Sequence, residues 1–223
     1  MLDWSPIILT FKLALLTTLI LLIISTPLAY WLANSKSKLK PIIEAIISLP
    51  LVLPPTVIGF YLLITFSPNN AIGDFLQKTF GIHLAFSFTG LVIGSIIYSL
   101  PFMVQPLQSG FKGLPTSIIE ASYILGKTKF ETITRVMLPN IKHSILTGIV
   151  LAFSHTLGEF GVVLMIGGNI PSKTKVVSIA IYDEVESLNY INAHIYSGIL
   201  LTITFTVLLF VYLKKNRSFN LFK

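Results

Sequence analysis

A single carboxylate, Glu159, stands inside an otherwise uncharged apolar run that extends from Ser144 to about Gly168. This run can cross the roughly 30 Å hydrocarbon core of a bilayer, where an ionisable side chain is costly and usually serves a function. Because Gly158 and Gly161 flank Glu159, the segment can approach another backbone closely. We therefore expect the carboxylate to accept hydrogen bonds across a helix interface and to hold one conformation. The alternatives are a proton relay and a protonated ligand for a substrate.

Three further side chains are candidates for chemistry in the apolar runs. His155 lies between Ser154 and Thr156, but no second histidine or carboxylate stands at ligand spacing on its face. We therefore interpret it as a helix-packing hydrogen bonder and expect no metal site. Ser25 and Ser154 lack His and Asp partners, which argues against nucleophilic catalysis. The chain has no cysteine for thiol chemistry. The sequence thus predicts neither an enzyme nor a bound cofactor.

Composition places these residues in a membrane protein. Of 223 residues, 53% are hydrophobic and only 11% are charged, which is too apolar for an ordinary water-soluble domain. The net charge of +7 comes from scattered basic residues, without the basic stripe and interleaved aromatics of a nucleic-acid interface. No Gly-x-x-x-x-Gly-Lys-Ser/Thr loop occurs. Energy for any pumping must therefore come from another polypeptide or from an ion gradient.

Five apolar runs are long enough to cross a bilayer as helices. We predict an all-α membrane protein with a single domain over residues 1–223 and spans at about 8–34, 44–66, 85–107, 143–167 and 194–213. Short helices outside the bilayer core are predicted at Gly73–Phe80 and Val177–Val185. The acidic residues Asp183, Glu184 and Glu186 are interpreted as a solvated face or as a contact for a partner protein.

Prolines interrupt two of these spans. The pair Pro54-Pro55 must break the second span, and the freed carbonyl groups then need partners. The break therefore either faces protein or a wet cavity, or is a simple packing kink. In the third span, Pro101 and Pro106 limit the predicted regular helix to about 86–100.

The Lys and Arg residues are concentrated on one side of the predicted spans. That side has twelve of them, in the first loop, in the segment 112–142 and in the C-terminal tail, whereas the opposite side has three. By the positive-inside rule the side with twelve is cytoplasmic. The sequence therefore predicts an N-terminus outside and a C-terminus in the cytoplasm.

The least membrane-like stretch is predicted to form two short cytoplasmic helices over residues 117–138. Ser117 with Glu120, and Thr128 with Glu131, have the spacing of a capping box, in which side chains satisfy the free N–H groups of a helix start. Gly126 can take the left-handed conformation that ends the first helix, and Pro139 is expected to end the second before it.

One face of the first of these helices is interpreted as a docking surface. Ile118, Ala121, Ser122 and Leu125 share this face by their three-to-four spacing. A patch of small residues thus lies between two aliphatic side chains, and we expect it to fill a groove in a partner.

These motifs resemble those of a known family. Glu120-Ala121-Ser122, followed by Gly126 and Leu138-Pro139, resembles the cytoplasmic "EAA" loop of ABC importer permeases, with Ser122 in place of the second alanine. The stretch from Leu49 to Leu63 and the motif Leu157-Gly158-Glu159-Phe160-Gly161 resemble the second-span and fourth-span signatures of molybdate permeases. Sulfate and tungstate permeases are near relatives. The resemblance extends from about Pro6 to Leu213.

The resemblance implies a type I ABC importer permease fold and a transport subunit of the bacterial cytoplasmic (inner) membrane. It also implies a homodimer in the lipid bilayer, an extracytoplasmic oxyanion-binding protein, and two cytoplasmic ABC ATPase subunits that use ATP and Mg²⁺. The residues implied in ATPase coupling are Glu120, Ala121, Ser122, Leu125, Gly126, Leu138 and Pro139. Those implied in the translocation path or gate are Pro54, Pro55, Thr56, Ser154, Gly158, Glu159 and Gly161.

The implied cargo is molybdate or tungstate. The alternative functions are a sulfate or thiosulfate permease and an ion-coupled carrier that uses Glu159. A tetrahedral dianion needs hydroxyl and N–H donors without a fixed positive charge that would trap it. Five hydroxyl side chains can supply such donors: Thr56, Ser95, Ser99, Ser154 and Thr156. Each of them can instead bond to its own helix, as Ser and Thr often do in membrane spans.

Overall fold

The structure is a computed structural model that describes residues 2–219, apart from the side chains of residues 80, 210–212 and 214–219. Within these residues the chain is helical and contains no strand, which confirms the prediction of an all-α protein. A 3₁₀ turn covers Leu49–Leu51 and a π-helical segment covers Thr132–Met137. The α-helices are α1 (Ser5–Asn34), α2 (Lys40–Ser48), α3 (Pro55–Phe66), α4 (Ala71–Phe80), α5 (Phe88–Lys112), α6 (Thr116–Ile124), α7 (Lys129–Glu131), α8 (Leu138–Asn140), α9 (Lys142–Leu157), α10 (Gly161–Gly167), α11 (Val177–Glu186) and α12 (Tyr190–Phe219).

Three of the helices are long and apolar enough to cross a membrane by themselves. They cover Ser5–Asn34, Phe88–Lys112 and Tyr190–Leu209. Two bent helix pairs raise the number of candidate spans in the described residues to as many as five. One pair joins Lys40–Leu51 to Pro55–Phe66 at 110°, and the other joins Lys129–Asn140 to Lys142–Leu157 at 72°.

Helices α1, α5 and α9 form the central bundle. Their contacting faces bury large apolar side chains, among them Leu21 of α1 and Met103 of α5, which are both 0% exposed. Small residues bring the helices together: a Cβ added at Gly148 of α9 would lie 2.9 Å from the Sδ of Met103. Close packing of this kind drives helix association in lipid, where the hydrophobic effect between helices is absent.

Contacts at one end of the bundle involve the first loop and the docking stretch, which is the predicted pair of cytoplasmic helices over residues 117–138. The rings of Tyr30 and Phe111 lie edge-on with centroids 5.5 Å apart. Lys129 places its ammonium group 5.8 Å from the Tyr30 ring, and Glu44 of α2 forms an ion pair of 3.8 Å with Lys112. The ends of α1 and α5, the start of α2 and the docking stretch therefore lie together.

Contacts at the other end involve the N-terminus, α11 and the start of α12. Tyr196 donates its hydroxyl to the backbone oxygen of Asp3 at 2.7 Å, and Val177 donates its N–H to Thr10 Oγ1 at 2.8 Å. The short helices α4 and α11 agree with the helices predicted at Gly73–Phe80 and Val177–Val185.

The prolines act differently in the second and third spans. At Pro54-Pro55 the chain turns by 110° between α2 and α3, so the predicted break is confirmed. Helix α5, by contrast, continues through Pro101 and Pro106 to Lys112, and the prediction of a regular helix of only 86–100 is wrong. Pro101 is buried, and packing against α1 and α9 holds α5 in place despite the two missing N–H donors.

The fourth apolar run is not a continuous helix. The sequence predicts one span over 143–167, but α9 ends at Leu157 and α10 begins at Gly161. Glu159 therefore stands in a break between two helices and not within one. The glycines at Gly158 and Gly161 are weak helix formers, which favours the interruption at this point.

One of the two predicted capping boxes forms. Thr128 and Glu131 cap each other's backbone N–H groups, and these hydrogen bonds from Thr128 hold the pKa of the Glu131 carboxyl below its usual range. The box predicted at Ser117 is wrong, because α6 already begins at Thr116 after an extended Pro115. Ser117 thus has helical backbone geometry and cannot act as an N-cap.

The second docking helix does not end before Pro139. It continues to Asn140 through the π-helical segment, in which the Leu138 N–H bonds to the Ile133 carbonyl. A π segment adds a residue to the turn and so accommodates the proline ring and its missing N–H.

Candidate functional site

The break in the fourth run and the start of α3 enclose a pocket of about 450 Å³. Its lining residues come from the start of α3, from α5, and from the end of α9 through the break to the start of α10: Pro55, Thr56, Tyr98, Ser154, His155, Gly158, Glu159, Phe160 and Gly161. Six of the seven residues predicted for a path or gate therefore lie around one pocket. The seventh, Pro54, is exposed at the preceding position and does not line it.

Glycines allow the two broken runs to approach each other. A Cβ added at Gly161 would lie only 2.8 Å from the Cβ of Pro55, and one added at Gly59 would lie 2.8 Å from the Cβ of Met165. Real Cβ atoms do not come this close. The start of α3 and α10 therefore pack with their backbones in near contact, and this contact closes one wall of the pocket.

Glu159 links the break to two other helices. Ser95 of α5 donates its hydroxyl to Glu159 Oε2 at 2.6 Å, and Ser178 of α11 donates to the Glu159 backbone oxygen at 2.6 Å. The residue is only 4% exposed. The expected hydrogen bond across a helix interface is therefore present in the structure, with Ser95 as its donor.

His155 is held by packing and by one hydroxyl. Its Nδ1 lies 2.9 Å from Ser99 Oγ, and its ring stacks on Phe102 with centroids 4.0 Å apart. Tyr98 also contacts the His155 ring, with centroids 4.8 Å apart. The interpretation of His155 as a helix-packing hydrogen bonder is thus confirmed. Within the described residues no group of three or more potential metal ligands is found.

The five candidate hydroxyls divide into two sets. Thr56 and Ser154 line the pocket, whereas Ser95, Ser99 and Thr156 are buried behind its wall and bond to other side chains or to their own helix. Hydroxyl, imidazole and phenol side chains are thus among the lining residues of the pocket, and no Lys or Arg side chain is. Such a surface can donate hydrogen bonds without presenting a permanent positive charge.

Sequence reasoning missed Tyr98, His155 and Phe160 as lining residues, since it interpreted His155 only as a helix-packing residue. The signal for Tyr98 was its position three residues after Ser95, which places both on one face of α5. Phe160 follows Glu159 directly, but its place in the pocket depends on the irregular backbone of the break, which no local pattern predicts.

The docking stretch forms a pair of packed helices with exposed apolar side chains at the turn between them. Ile124, Leu125 and Phe130 are 86%, 77% and 76% exposed. Gly126 has φ +74°, the left-handed conformation that was predicted. The predicted patch requires a correction at Ser122, which is buried with its Oγ 2.9 Å from Thr132 Oγ1. Ser122 therefore joins the two helices and does not present itself to a partner.

Residues 25–214 match the family described as "Binding-protein-dependent transport system inner membrane component". The chain belongs to this family. It is 47% identical to the molybdenum transport system permease protein ModB of Azotobacter vinelandii, covering 94% of this chain and 93% of that protein. It is 35% identical to the sulfate transport system permease protein CysT of Synechocystis, covering 91% of this chain and 70% of that protein.

Solved structures with the same fold come from ABC transporters. A bacterial alginate ABC transporter, in complex with an alginate-bound periplasmic protein, matches with a TM-score of 0.76 at 20% identity, covering 96% of this chain and 78% of that chain. The MetNI methionine ABC transporter matches with a TM-score of 0.64 at 15% identity, covering 93% and 90%. The chain is therefore a permease subunit of an importer and not an enzyme, and the alternative of an ion-coupled carrier is not supported.

The close contact at Gly161 leads to a prediction about stability. Gly161→Ala should destabilise the purified protein by roughly 1–3 kcal/mol, because the added methyl group meets Pro55 and the α3 backbone in a packed interface. Thermal unfolding in detergent measures the change.

Gly158→Ala is the matched control for this prediction. Its added Cβ would have no contact closer than 3.8 Å, so a change within about 0.5 kcal/mol is expected. Equal destabilisation by the two variants would contradict the close packing of α3 on α10.

Proposed function

We propose that this chain is the membrane subunit through which an ATP-driven importer moves molybdate into the bacterial cytoplasm, with tungstate as an alternative cargo. The observation that carries the proposal is the pocket, which combines polar donors with the absence of Lys and Arg from its lining. A tetrahedral dianion can be bound weakly there and released again, as conduction requires. Thr56 and Ser154 are the proposed donors.

The choice of cargo rests on the relatives. The 47% identical protein is named for molybdenum transport, and the 35% identical protein is named for sulfate transport. Sulfate is accordingly the second candidate. The carboxyl of Glu159 and the surrounding hydroxyls suit both anions, so selectivity is proposed to arise partly in the binding protein that delivers them.

The partners are proposed to be a second copy of this chain, two ABC ATPase subunits and an extracytoplasmic oxyanion-binding protein. Val52 and Tyr61, which are 83% and 64% exposed and lie before and after Pro55 and Thr56 in the sequence, supply apolar surface for the second copy. No cofactor is proposed for this chain, and ATP and Mg²⁺ are used by the ATPase subunits. No nucleic acid takes part.

The docking stretch is the proposed ATPase contact. Leu125 is exposed at the turn between its two helices, and Gly126 sets this turn. Glu120, Ala121 and Pro139 are also exposed on it, whereas Ser122 and Leu138 support it from inside. A patch of this size and composition suits the groove of a rigid partner, as in helix-in-groove recognition.

Five spans in the inner membrane are proposed, with the N-terminus outside. The end of the bundle that holds the first loop and the docking stretch carries most of the basic residues, so it is assigned to the cytoplasm. The opposite end, with Asp3, Val177 and Tyr196, is assigned to the outside. Lys12, inside α1, lies 4.9 Å from the Phe88 ring near this outer end. In the basic tail, Lys223 lies outside the described residues, and the structure does not describe the side chains of Lys214, Lys215 and Arg217.

Transport by the complete complex tests the proposed cargo. The chain, reconstituted in vesicles with its ATPase and binding protein, should accumulate molybdate only when ATP is present. Thr56→Val should lower this uptake by about fivefold, the equivalent of one hydrogen bond of ~1 kcal/mol.

Thr65→Val is the control for Thr56→Val. Thr65 lies on the same helix and bonds to the Tyr61 carbonyl of its own turn, away from the pocket, so uptake should be unchanged. ATP-dependent uptake of sulfate in preference to molybdate would favour the second candidate. Absence of uptake for every oxyanion would refute the proposal.

Coupling to the ATPase depends on the turn at Gly126. Gly126→Val should uncouple ATP hydrolysis from uptake, because a β-branched residue is strained at φ +74° even though an added Cβ would have no atom within 4 Å. Uptake per ATP hydrolysed measures the effect.

Gly81→Val provides the same strain at φ +66° in an equally open position at the end of α4, far from the docking stretch. It should leave coupling intact. Normal coupling in Gly126→Val at normal expression would contradict the assigned role of the turn.

The proposed orientation predicts where reporters will be found. A reporter inserted near Thr116, or fused after the C-terminus, should be cytoplasmic, and one inserted near Asn69 or Pro171 should be extracytoplasmic. Site-specific labelling from outside intact cells, or enzymatic reporters on both sides, measures this. A reversal at any of the sites would overturn the five-span arrangement.

A further inference from the structure

The carboxyl group of Glu159 borders the pocket but has a single hydrogen-bond donor. Ser95 reaches Oε2, whereas Oε1 is buried and has no hydrogen-bond partner among the described residues. Only 4% of the residue is exposed. A buried carboxylate in proteins normally accepts several hydrogen bonds or pairs with a cation.

The elements packed around Glu159 supply no cation to balance a negative charge. Helix α5 presents Tyr98 and α9 presents His155, whose Nδ1 is engaged by Ser99. Helices α3 and α10 present only Pro55, Thr56 and Gly161.

On the side of α11, Ser178 bonds to the backbone of Glu159. Tyr182 of this helix reaches only the neighbouring Phe160 ring, with centroids 5.2 Å apart, and donates its hydroxyl to Glu186. Asp183 pairs with Lys175. Within the described residues, no ion pair includes Glu159 or His155.

We propose that Glu159 carries a proton in this conformation, and that the neutral carboxyl makes the pocket permissive for a dianion. The proton stays on Glu159 while the anion passes, and Ser95 donates its hydroxyl to Oε2. An ionised Glu159 would place a negative charge at the wall of the pocket, where the low dielectric strengthens repulsion of the dianion. Glu159 is thus a positioning and selectivity residue for anions. This inference rests on the proposed function of oxyanion transport.

Loss of the proton should therefore close the pathway to the anion. In the reconstituted complex with ATPase and binding protein, molybdate uptake should be steady around neutral pH. It should then fall by on the order of tenfold for each pH unit beyond the point where Glu159 ionises, because the neutral fraction falls by that factor.

Glu159→Gln removes the titrating group and keeps a neutral side chain of the same size. Its uptake should be lower than that of the unchanged protein at neutral pH but should show no alkaline fall. Asp74→Asn is the control, since Asp74 is an exposed carboxylate paired with Lys78 on α4, and it should keep the alkaline fall. All variants share the same ATPase and binding protein, so the ratio of variant to unchanged protein cancels the titration of those partners.

Ser95→Ala gives a second test with a definite direction. The Ser95 hydroxyl is the donor that stabilises the ionised carboxylate, so its removal should disfavour ionisation and move the alkaline fall to higher pH. A purely structural role for the Ser95–Glu159 pair would lower uptake at every pH and leave the position of the fall unchanged.

Infrared difference spectroscopy of the unchanged protein provides a test that needs no variant to fold. The C=O stretch of a neutral carboxylic acid should be present at neutral pH and should disappear over the same pH range as uptake. Absence of this band, or an alkaline fall that persists in Glu159→Gln, would overturn the inference and would assign the fall to another group. Failure of the unchanged complex to import any oxyanion at any pH would instead refute the proposed function.

Discussion

The rest of the structure depends on the contacts that stabilise the break between α9 and α10 at Glu159. A break in a helix at this depth exposes backbone groups that lipid cannot satisfy, so it survives only where protein supplies partners. Ser178 satisfies the Glu159 carbonyl from α11, and Ser95 contacts the carboxyl from α5. These two hydroxyls fix the break against helices on both sides. The pocket exists because α9 and α10 do not continue into each other.

The second constraint is the close approach of α3 to α10. Two runs that are each broken, one by Pro54-Pro55 and one by glycines, meet at their breaks, and Gly161 allows near contact of the backbones. The result is a pocket that is bounded by irregular backbone and carries a few polar side chains within an apolar bundle. Such an arrangement favours weak, reversible binding of an anion over tight binding, because its donors are hydroxyl groups and not ammonium or guanidinium groups.

Local reasoning succeeded where local chemistry decides and failed where packing overrides it. The capping box at Thr128 and the left-handed Gly126 were predicted because both depend on neighbouring residues alone. The box at Ser117 has the same spacing, but the N-cap of α6 is Pro115, two residues earlier. Helix α5 continues through two prolines because its burial in the bundle outweighs their local cost.

The sequence by itself determined the membrane class, the apolar runs, the proline break and six of the residues around the pocket, because hydrophobic runs, proline and glycine act through the chain's own backbone. Only the tertiary structure decided which hydroxyl meets Glu159. Ser95 is 64 residues away, and its register depends on how α5 packs against the break. It also decided that Glu159 Oε1 has no hydrogen-bond partner among the described residues. Burial of a side chain depends on all the surrounding helices together and cannot be predicted from the neighbouring residues in the sequence.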